Sequence, residues 1–127
     1  MSEFVRKRIP SREPLYIWGY AHDVFWRTGC RPASRYLTPY FIDGRFPDTE
    51  AIITPSGEEF RRTAAFNLLE DLRRTKPRLI LDVEASFLAI PYGELVDYIR
   101  RNYRIEGKIG PDHERPFLVL QLEGKGL

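Results

Sequence analysis

One segment constrains the fold of this chain more than any other, the amphipathic stretch "SGEEFRRTAAFNLLEDLRRTKP" at residues 56–77. Ser56 and Glu59 fit a capping box at its start, and Pro77 ends the helix that it predicts. The apolar side chains recur at helical spacing and define one face: Phe60, Ala64, Ala65, Leu68, Leu69 and Leu72. A helix of this length must cover another apolar layer with that face, so the segment predicts a layered fold.

The opposite face of this helix is charged. Glu58 and Arg62 are four residues apart, as are Glu70 and Arg74, and side chains at this spacing meet on a helix surface. We therefore expect two ion pairs on the solvent side of the helix.

Three apolar runs rich in β-formers surround the helix. "PLYIWGY" predicts a first strand that ends at Gly19, and "RLILDVE" at residues 78–84 predicts a buried strand after the helix. "ASRYLTPYF" at residues 33–41 predicts a second strand, which Pro39 restricts to an edge of the sheet. Residues 41–55 are predicted to form an exposed loop.

Two further helices and a hairpin complete the pattern. "HDVFWRTG" predicts a short helix that stops at Gly29 in a left-handed conformation. "PYGELVDYIRRNY" predicts an amphipathic helix with these residues facing inward: Leu95, Val96, Ile99 and Tyr103. "YRIEGKI" and "RPFLVLQLEG" predict an antiparallel pair around "GPDHERP". The order predicts an α/β fold of three layers, a short, partly parallel sheet flanked by helices with a C-terminal antiparallel hairpin.

The length of 127 residues suits one domain. We assign residues 1–14 to a polar lead-in or linker, residues 15–124 to a single α/β domain and residues 125–127 to a tail. Twenty basic residues nearly balance eighteen acidic ones, so composition does not predict nucleic-acid binding. The run at residues 6–8, Arg-Lys-Arg, is interpreted as a solvated terminus, although it could touch phosphates or lipid headgroups.

The strongest candidate for a functional surface is a cluster of arginines and aromatic rings. Its members are Trp18, Trp26, Arg27, Arg31, Arg35, Tyr36 and Tyr40. Guanidinium groups recognise phosphate and carboxylate with two parallel hydrogen bonds, and aromatic rings stack on sugars. Core packing with structural bonds from arginine to carbonyl oxygens explains the same residues equally well, so both interpretations stay open.

Other reactive side chains are scarce. His22 and Asp23 resemble half of a metal or acid–base site, but helix capping by Asp23 is the favoured interpretation. Cys30 has only His22 and His113 as potential bases, so we do not predict a reactive thiol. Glycine-rich phosphate loops and hydrolase elbows do not occur in the sequence. We therefore assign no catalytic residue, no metal and no cofactor.

Two acidic residues follow the strand predicted at residues 78–84. Alternation along a strand would place Asp82 and Glu84 on one face, at the sheet edge where ligands of α/β proteins gather. They could hold Mg²⁺ or act as paired carboxylates. The favoured interpretation is a polar strand exit that caps a neighbouring turn or forms a salt bridge with a neighbour such as Arg35.

The stretch "YIWGYAHDVFWRTGCRPASRY" resembles a segment that follows the last transmembrane helix of some bacterial GT-C-type glycosyltransferases, similar to protein mannosyltransferases and the aminoarabinose transferase of lipid A. The matching positions are Trp18, Gly19, Thr28, Gly29, Arg31, Pro32, Ala33, Ser34, Arg35 and Tyr36. A second pattern of these enzymes is matched by Lys76, Pro77, Leu79, Ile80, Leu81 and Asp82. The resemblance covers residues 15–41 and 60–84, and it departs from the pattern at His22 and at Phe25-Trp26.

The resemblance implies a non-catalytic accessory domain on the extracytoplasmic face of a membrane enzyme that uses polyprenyl-phosphate-linked sugars. Its partners would be the transmembrane portion of the parent and an acceptor or glycan. The junction residues would be Trp18, His22, Asp23, Arg31, Ser34, Arg35 and Tyr36. Two alternatives remain: a stand-alone cytoplasmic α/β domain that binds or processes a phosphorylated small molecule, and a self-associating module that uses the aromatics of residues 36–46.

Overall fold

The computed structural model describes residues 1–37, 42, 55–109 and 117–123. The helices are α1 (Ser2–Arg8), α2 (Asp23–Thr28), α3 (Pro55–Thr75) and α4 (Gly93–Asn102), with a 3-10 helix at Phe87–Ala89. The strands are β1 (Pro14–Trp18), β2 (Arg31–Pro32), β3 (Leu79–Asp82), β4 (Tyr103–Ile109) and β5 (Phe117–Leu122).

The five strands form one mixed sheet in the order β2-β1-β3-β5-β4. The first three are parallel, and Trp18 at the end of β1 is in register with Asp82 at the end of β3. β5 runs antiparallel to both β3 and β4, which makes the C-terminal hairpin. The predicted α/β class, the partly parallel sheet and the hairpin are confirmed.

The three layers follow from alternation along the strands, because successive side chains point to opposite faces of a sheet. One core contains Tyr16, Trp18, Ile80 and Leu120 under α3 and α4. The other contains the alternate strand residues together with side chains of α1 and α2, and its members are Val5, Ile9, Leu15, Ile17, Val24, Cys30, Leu79, Leu81, Phe117 and Val119. Each face of the sheet is therefore covered by two helices.

The second strand differs from its prediction. β2 consists of Arg31 and Pro32 alone, at the edge of the sheet, and residues 33–37 are not in a strand. The Ala33 N–H still donates to the Leu15 carbonyl of β1, but the Ala33 carbonyl and the polar groups of Ser34 and Arg35 bind to α3 instead of continuing the ladder, as described below. Residues 38–41 of the predicted strand lie outside the described part, as does the predicted loop at 41–55 apart from the buried Ile42 and the start of α3.

Helix α3 has the predicted bounds to within about two residues, a normal difference at helix ends. Its predicted apolar face is buried except for Phe60, whose side chain is 49% exposed. The ion pair between Arg62 and Glu58 is present at 3.1 Å, but Arg74 contacts Asp71 at 3.3 Å instead of pairing with Glu70. The side chain of Ser56 is outside the described part, so the capping box stays a prediction.

The later elements follow the predicted pattern closely. Leu95 and Ile99 of α4 are buried, while Val96 is only half-buried. Tyr103 is buried as expected, and it begins β4, whose bounds are those of the predicted strand "YRIEGKI". Its hydroxyl donates a 2.6 Å hydrogen bond to the Pro77 carbonyl, and burial raises the pKa of the Tyr103 phenol. This bond attaches the start of the hairpin to the end of α3.

The N-terminal segment is not a linker. Helix α1 packs beside α2, with Val5 fully buried and Ile9 4% exposed. The basic run is not simply solvated either. Arg8 pairs with Glu106 of β4 at 2.9 Å, and the Arg6 guanidinium donates to the Arg27 carbonyl at the end of α2. Residues 1–9 therefore belong to the domain.

Helix α2 matches its prediction. Gly29 follows its last residue at φ 74°, and the Gly29 N–H donates to the Phe25 carbonyl. An added Cβ at Gly29 would lie 2.4 Å from the Ser11 hydroxyl, so both the backbone conformation and the space require glycine. Among the helices in the described ranges, none is long and apolar enough to span a bilayer.

The burial of α1 leads to a stability prediction. Val5→Ala removes two buried methyl groups and leaves a cavity, so we expect a loss of about 2 kcal/mol in the free energy of unfolding. Lys7→Ala on the exposed side of the same helix is the matched control, with an expected change below about 0.5 kcal/mol. Urea denaturation followed by circular dichroism measures both. Equal stability of the two variants would restore the linker interpretation.

Candidate functional site: the arginine–aromatic junction

Trp18 ends β1 and lies wholly in the core. It has no exposed surface, its ring centroid is 4.9 Å from that of Phe87, and its indole N–H donates to the Ser86 hydroxyl at 3.0 Å. Both partners follow β3, so Trp18 joins the ends of two parallel strands. The indole is a packing residue with a satisfied polar group and is not accessible to a ligand.

The next predicted site residues form the ASRY segment, residues 33–36, which runs along α3. Three polar residues of α3 at four-residue spacing receive it: Asn67, Asp71 and Thr75. Thr75 donates to the Ala33 carbonyl at 3.1 Å, and Asn67 donates to the Tyr36 hydroxyl at 3.1 Å. Because residues four apart share one face of a helix, these side chains bind successive parts of one extended segment.

Asp71 is the centre of this contact. Its Oδ2 accepts hydrogen bonds from the Ser34 hydroxyl at 3.1 Å, the Arg35 backbone N–H at 3.0 Å and the Arg35 Nε at 3.1 Å. Its Oδ1 accepts from the Arg35 Nη2 at 2.9 Å and from Arg74 at 3.3 Å. The guanidinium of Arg35 therefore grips the carboxylate with two parallel bonds, the geometry that arginine prefers.

The environment of Asp71 fixes its charge. The carboxylate is 1% exposed, and burial by itself raises its pKa. Hydrogen bonds from the Arg35 side chain, the Arg35 N–H and the Ser34 hydroxyl outweigh burial, so the pKa of Asp71 lies below its ordinary value. Asp71 is therefore ionised at neutral pH.

The other two arginines of the cluster have different partners. Arg31 Nε donates to the Arg12 carbonyl at 2.7 Å, and Arg27 pairs with Asp23 at 3.1 Å on the surface of α2. Arg27 lies on α2, which packs against the opposite face of the sheet from Arg35. The fold thus divides the predicted cluster between two layers, and Tyr40 lies outside the described residues.

His22 and Asp23 do not form a capping or metal arrangement. His22 is exposed at the N-cap of α2, where its ring meets that of Tyr20 edge to face at 5.9 Å. Asp23 accepts no capping hydrogen bond, which corrects the capping interpretation, and it lies in the first turn of α2, the other position that the sequence allows for this acid. Within the described ranges, no group of three potential metal-ligating side chains converges.

Cys30 is a core residue. It is 5% exposed, and its thiol faces the Pro10 carbonyl at 3.8 Å. His113, the second histidine considered as its base, lies outside the described part of the chain.

Asp82 organises the turn after β3. It is 1% exposed, and its carboxylate accepts the backbone N–H groups of Ser86 at 3.2 Å and Phe87 at 2.9 Å. Burial raises the pKa of Asp82, and these amide bonds oppose that rise. Arg35 pairs with Asp71, so it is not the salt-bridge partner proposed for the strand exit.

Glu84 lies in the turn itself, beyond the end of β3. Its Oε2 is inaccessible to solvent and has no hydrogen-bond partner in the described structure. An added Cβ at Gly19, which has φ 131°, would come within 3.3 Å of Glu84 Cγ and 2.9 Å of Val83 Cβ. The turn after β1 therefore packs tightly against the turn after β3.

Asp71 is the residue that sequence reasoning missed. It is seven residues after Ala64 and three after Leu68, so it falls within the apolar stripe of α3. A buried acid on a helix requires a hydrogen-bonding partner, so an aspartate within the apolar stripe was the signal that could have identified Asp71.

No known family model, curated protein or solved structure matches this chain.

The role of Asp71 can be tested by substitution. Asp71→Ala removes the acceptor of the Ser34 and Arg35 hydrogen bonds, and we expect the free energy of unfolding to fall by on the order of 3 kcal/mol. Glu70→Ala removes the exposed neighbouring acid and should change it by less than about 0.5 kcal/mol. Urea denaturation separates the two cases. A similar small effect for both variants would show that the segment is not held by Asp71.

The lowered pKa of Asp71 also predicts a pH dependence. An ionised carboxylate with a depressed folded-state pKa stabilises the fold above its unfolded pKa, and the contribution disappears as pH falls through the folded value. The stability difference between wild type and Asp71→Asn should be constant from about pH 7 to pH 5 and shrink below about pH 4. Asp82 has a raised pKa, but it titrates in both proteins, so its contribution cancels from the stability difference. A difference that persists or widens at pH 2 would contradict the assignment.

Proposed function

We propose that this chain is a non-catalytic accessory domain of a membrane glycosyltransferase that uses polyprenyl-phosphate-linked sugars. One observation carries the proposal: the residues on which the resemblance rests are the ones that fasten the domain together. Ser34 and Arg35 bind Asp71 across to α3, and Trp18 binds Ser86 across to β3. A sequence pattern whose side chains make contacts inside the domain identifies a fold. A catalytic activity would depend on other residues.

In this proposal the bond-making residues belong to the membrane-embedded part of the parent enzyme. The domain described here would lie on the extracytoplasmic face, in contact with the transmembrane portion and with an acceptor or glycan. Residues that hold β1, β3 and α3 in fixed positions would keep such a contact surface rigid.

An enzyme acting through Asp82 and Glu84 has weaker support. The Asp82 carboxylate is buried and already accepts two backbone N–H groups, so binding a metal would break the turn before the 3-10 helix. Of the aromatics proposed for the self-associating module, Tyr36 packs against the core with its hydroxyl bonded to Asn67, while Tyr40, Phe41 and Phe46 lie outside the described residues.

The proposal predicts the behaviour of the native gene product. Antibodies raised against the purified domain should detect an antigen in the membrane fraction of the source cells, at a mass well above the 14.9 kDa of this chain. Protease added to spheroplasts should digest the epitope, because the domain would face outward. A soluble antigen of 14.9 kDa would contradict the proposal.

Purified domain provides the matching control for activity. Incubated with a polyprenyl-phosphate-linked sugar and an acceptor, it should transfer nothing. Turnover that disappears in Asp82→Asn or Glu84→Gln would favour the enzymatic alternative.

A further inference from the structure

The two tryptophans of the chain occupy opposite environments. Trp18 is fully buried, whereas Trp26 of α2 is 91% exposed. Leu37 nearby is 44% exposed. Large apolar side chains that cluster on a surface mark contacts with something outside the chain.

Trp26 lies in an apolar groove. The groove has a volume of about 390 Å³, and Phe25, Pro32 and Leu37 line it together with the indole. We call these four residues, with the side chains of Arg12, Arg27 and Arg31, the Trp26 surface. The apolar lining gives the surface a large hydrophobic component.

Three exposed arginines adjoin residues that line this groove. Arg31 Nε donates to the Arg12 carbonyl, and the Arg12 N–H donates to the carbonyl of Gly29, itself a lining residue. Arg27 follows Trp26 in α2 and is 66% exposed, although it pairs with Asp23. Arg12, Arg27 and Arg31 are therefore exposed residues next to the lining of the groove, Arg27 and Arg31 along the chain and Arg12 through its bond to Gly29.

The N-terminal part of the chain has an excess of basic residues. Residues 1–32, which include α1 and α2, contain six basic and three acidic residues. Helix α3 on the opposite face of the sheet has four of each. An anionic partner would therefore be attracted more strongly to the α1–α2 side of the sheet than to α3.

We propose that the Trp26 surface docks on an anionic lipid bilayer, with the indole at the headgroup level and the arginines on lipid phosphates. Tryptophan favours this interface because its ring has an apolar body and a polar N–H, and guanidinium groups bind phosphate strongly. The inference rests on the proposed function, which brings the domain close to a membrane. It identifies the face that lies on the bilayer.

A soluble sugar fits the same surface less well. Indole rings do stack on sugars, but the polar side chains at this groove are His22 and Asp23, and Asp23 is already paired with Arg27. Sugar hydroxyls need several placed polar partners, whereas a bilayer interface needs an apolar anchor and cations.

The tryptophans make the experiment direct. The purified domain is titrated with vesicles of phosphatidylglycerol and phosphatidylcholine, and binding is followed by co-sedimentation and tryptophan emission. Trp18 is buried in both states, so a blue shift with reduced acrylamide quenching reports on Trp26. We expect binding that is at least about tenfold weaker with phosphatidylcholine alone and that weakens as salt increases.

Variants test the two components separately. Trp26→Ala should remove the blue shift and weaken binding about tenfold, and Trp26→Phe should retain part of the affinity. Arg12→Gln combined with Arg27→Gln should weaken binding on the order of twentyfold. The matched controls are Phe66→Ala, on an exposed ring of α3, and Arg101→Gln, on the surface of α4, which should bind as wild type.

Three outcomes would overturn the inference: no binding to anionic vesicles, unchanged binding by Trp26→Ala, and a Trp26 signal produced without vesicles by inorganic phosphate or a soluble disaccharide. Failure here is distinguishable from failure of the proposed function. A membrane-bound gene product whose domain ignores vesicles overturns only the docking face. A soluble gene product whose domain binds vesicles overturns only the glycosyltransferase proposal.

Discussion

The carboxylate of Asp71 is the interaction on which the rest of the domain depends. It connects the exit of the edge strand β2 to α3, and the partners are separated by 36 or 37 residues along the chain. A buried carboxylate without donors would be strongly unfavourable, so Ser34 and Arg35 must be in place whenever α3 is packed. The ASRY segment is thereby held in one position although it has no regular secondary structure. The end of β2 and the position of α3 on the sheet are set by the same contact.

A second buried carboxylate applies the same principle at the carboxyl edge of the sheet. Asp82 accepts backbone N–H groups from Ser86 and Phe87, and this turn brings Ser86 to the indole of Trp18. In open α/β sheets this edge commonly holds a ligand. In this domain the buried Trp18 indole lies at the end of β1, and a turn held by the Asp82 carboxylate follows β3. Asp82, which looks reactive in the sequence, therefore stabilises the fold.

Periodicity was sufficient to predict most of the fold, because α3, β3 and the hairpin each have an apolar pattern that only one type of secondary structure can bury. Helix α1 was missed because its buried residues, Val5 and Ile9, are diluted by charged neighbours. For the candidate site, the sequence identified Ser34, Arg35 and Tyr36 but not their receptor. The receptor is a stripe of α3, and finding it requires knowing which layer covers which face of the sheet.

The arginine–aromatic cluster illustrates why the two interpretations of one sequence pattern were both partly correct. Trp18, Arg35 and Tyr36 fall on the α3 side, where their polar groups bond within the domain. Trp26 and Arg27 fall on the α2 side and remain largely exposed. The division arises because α2 packs on one face of the sheet, whereas the segment after β2 crosses to the face that α3 covers. Residues that are close in the sequence therefore lie in different layers of the domain. The cluster as a whole cannot form one site, because its side chains do not all contact one another.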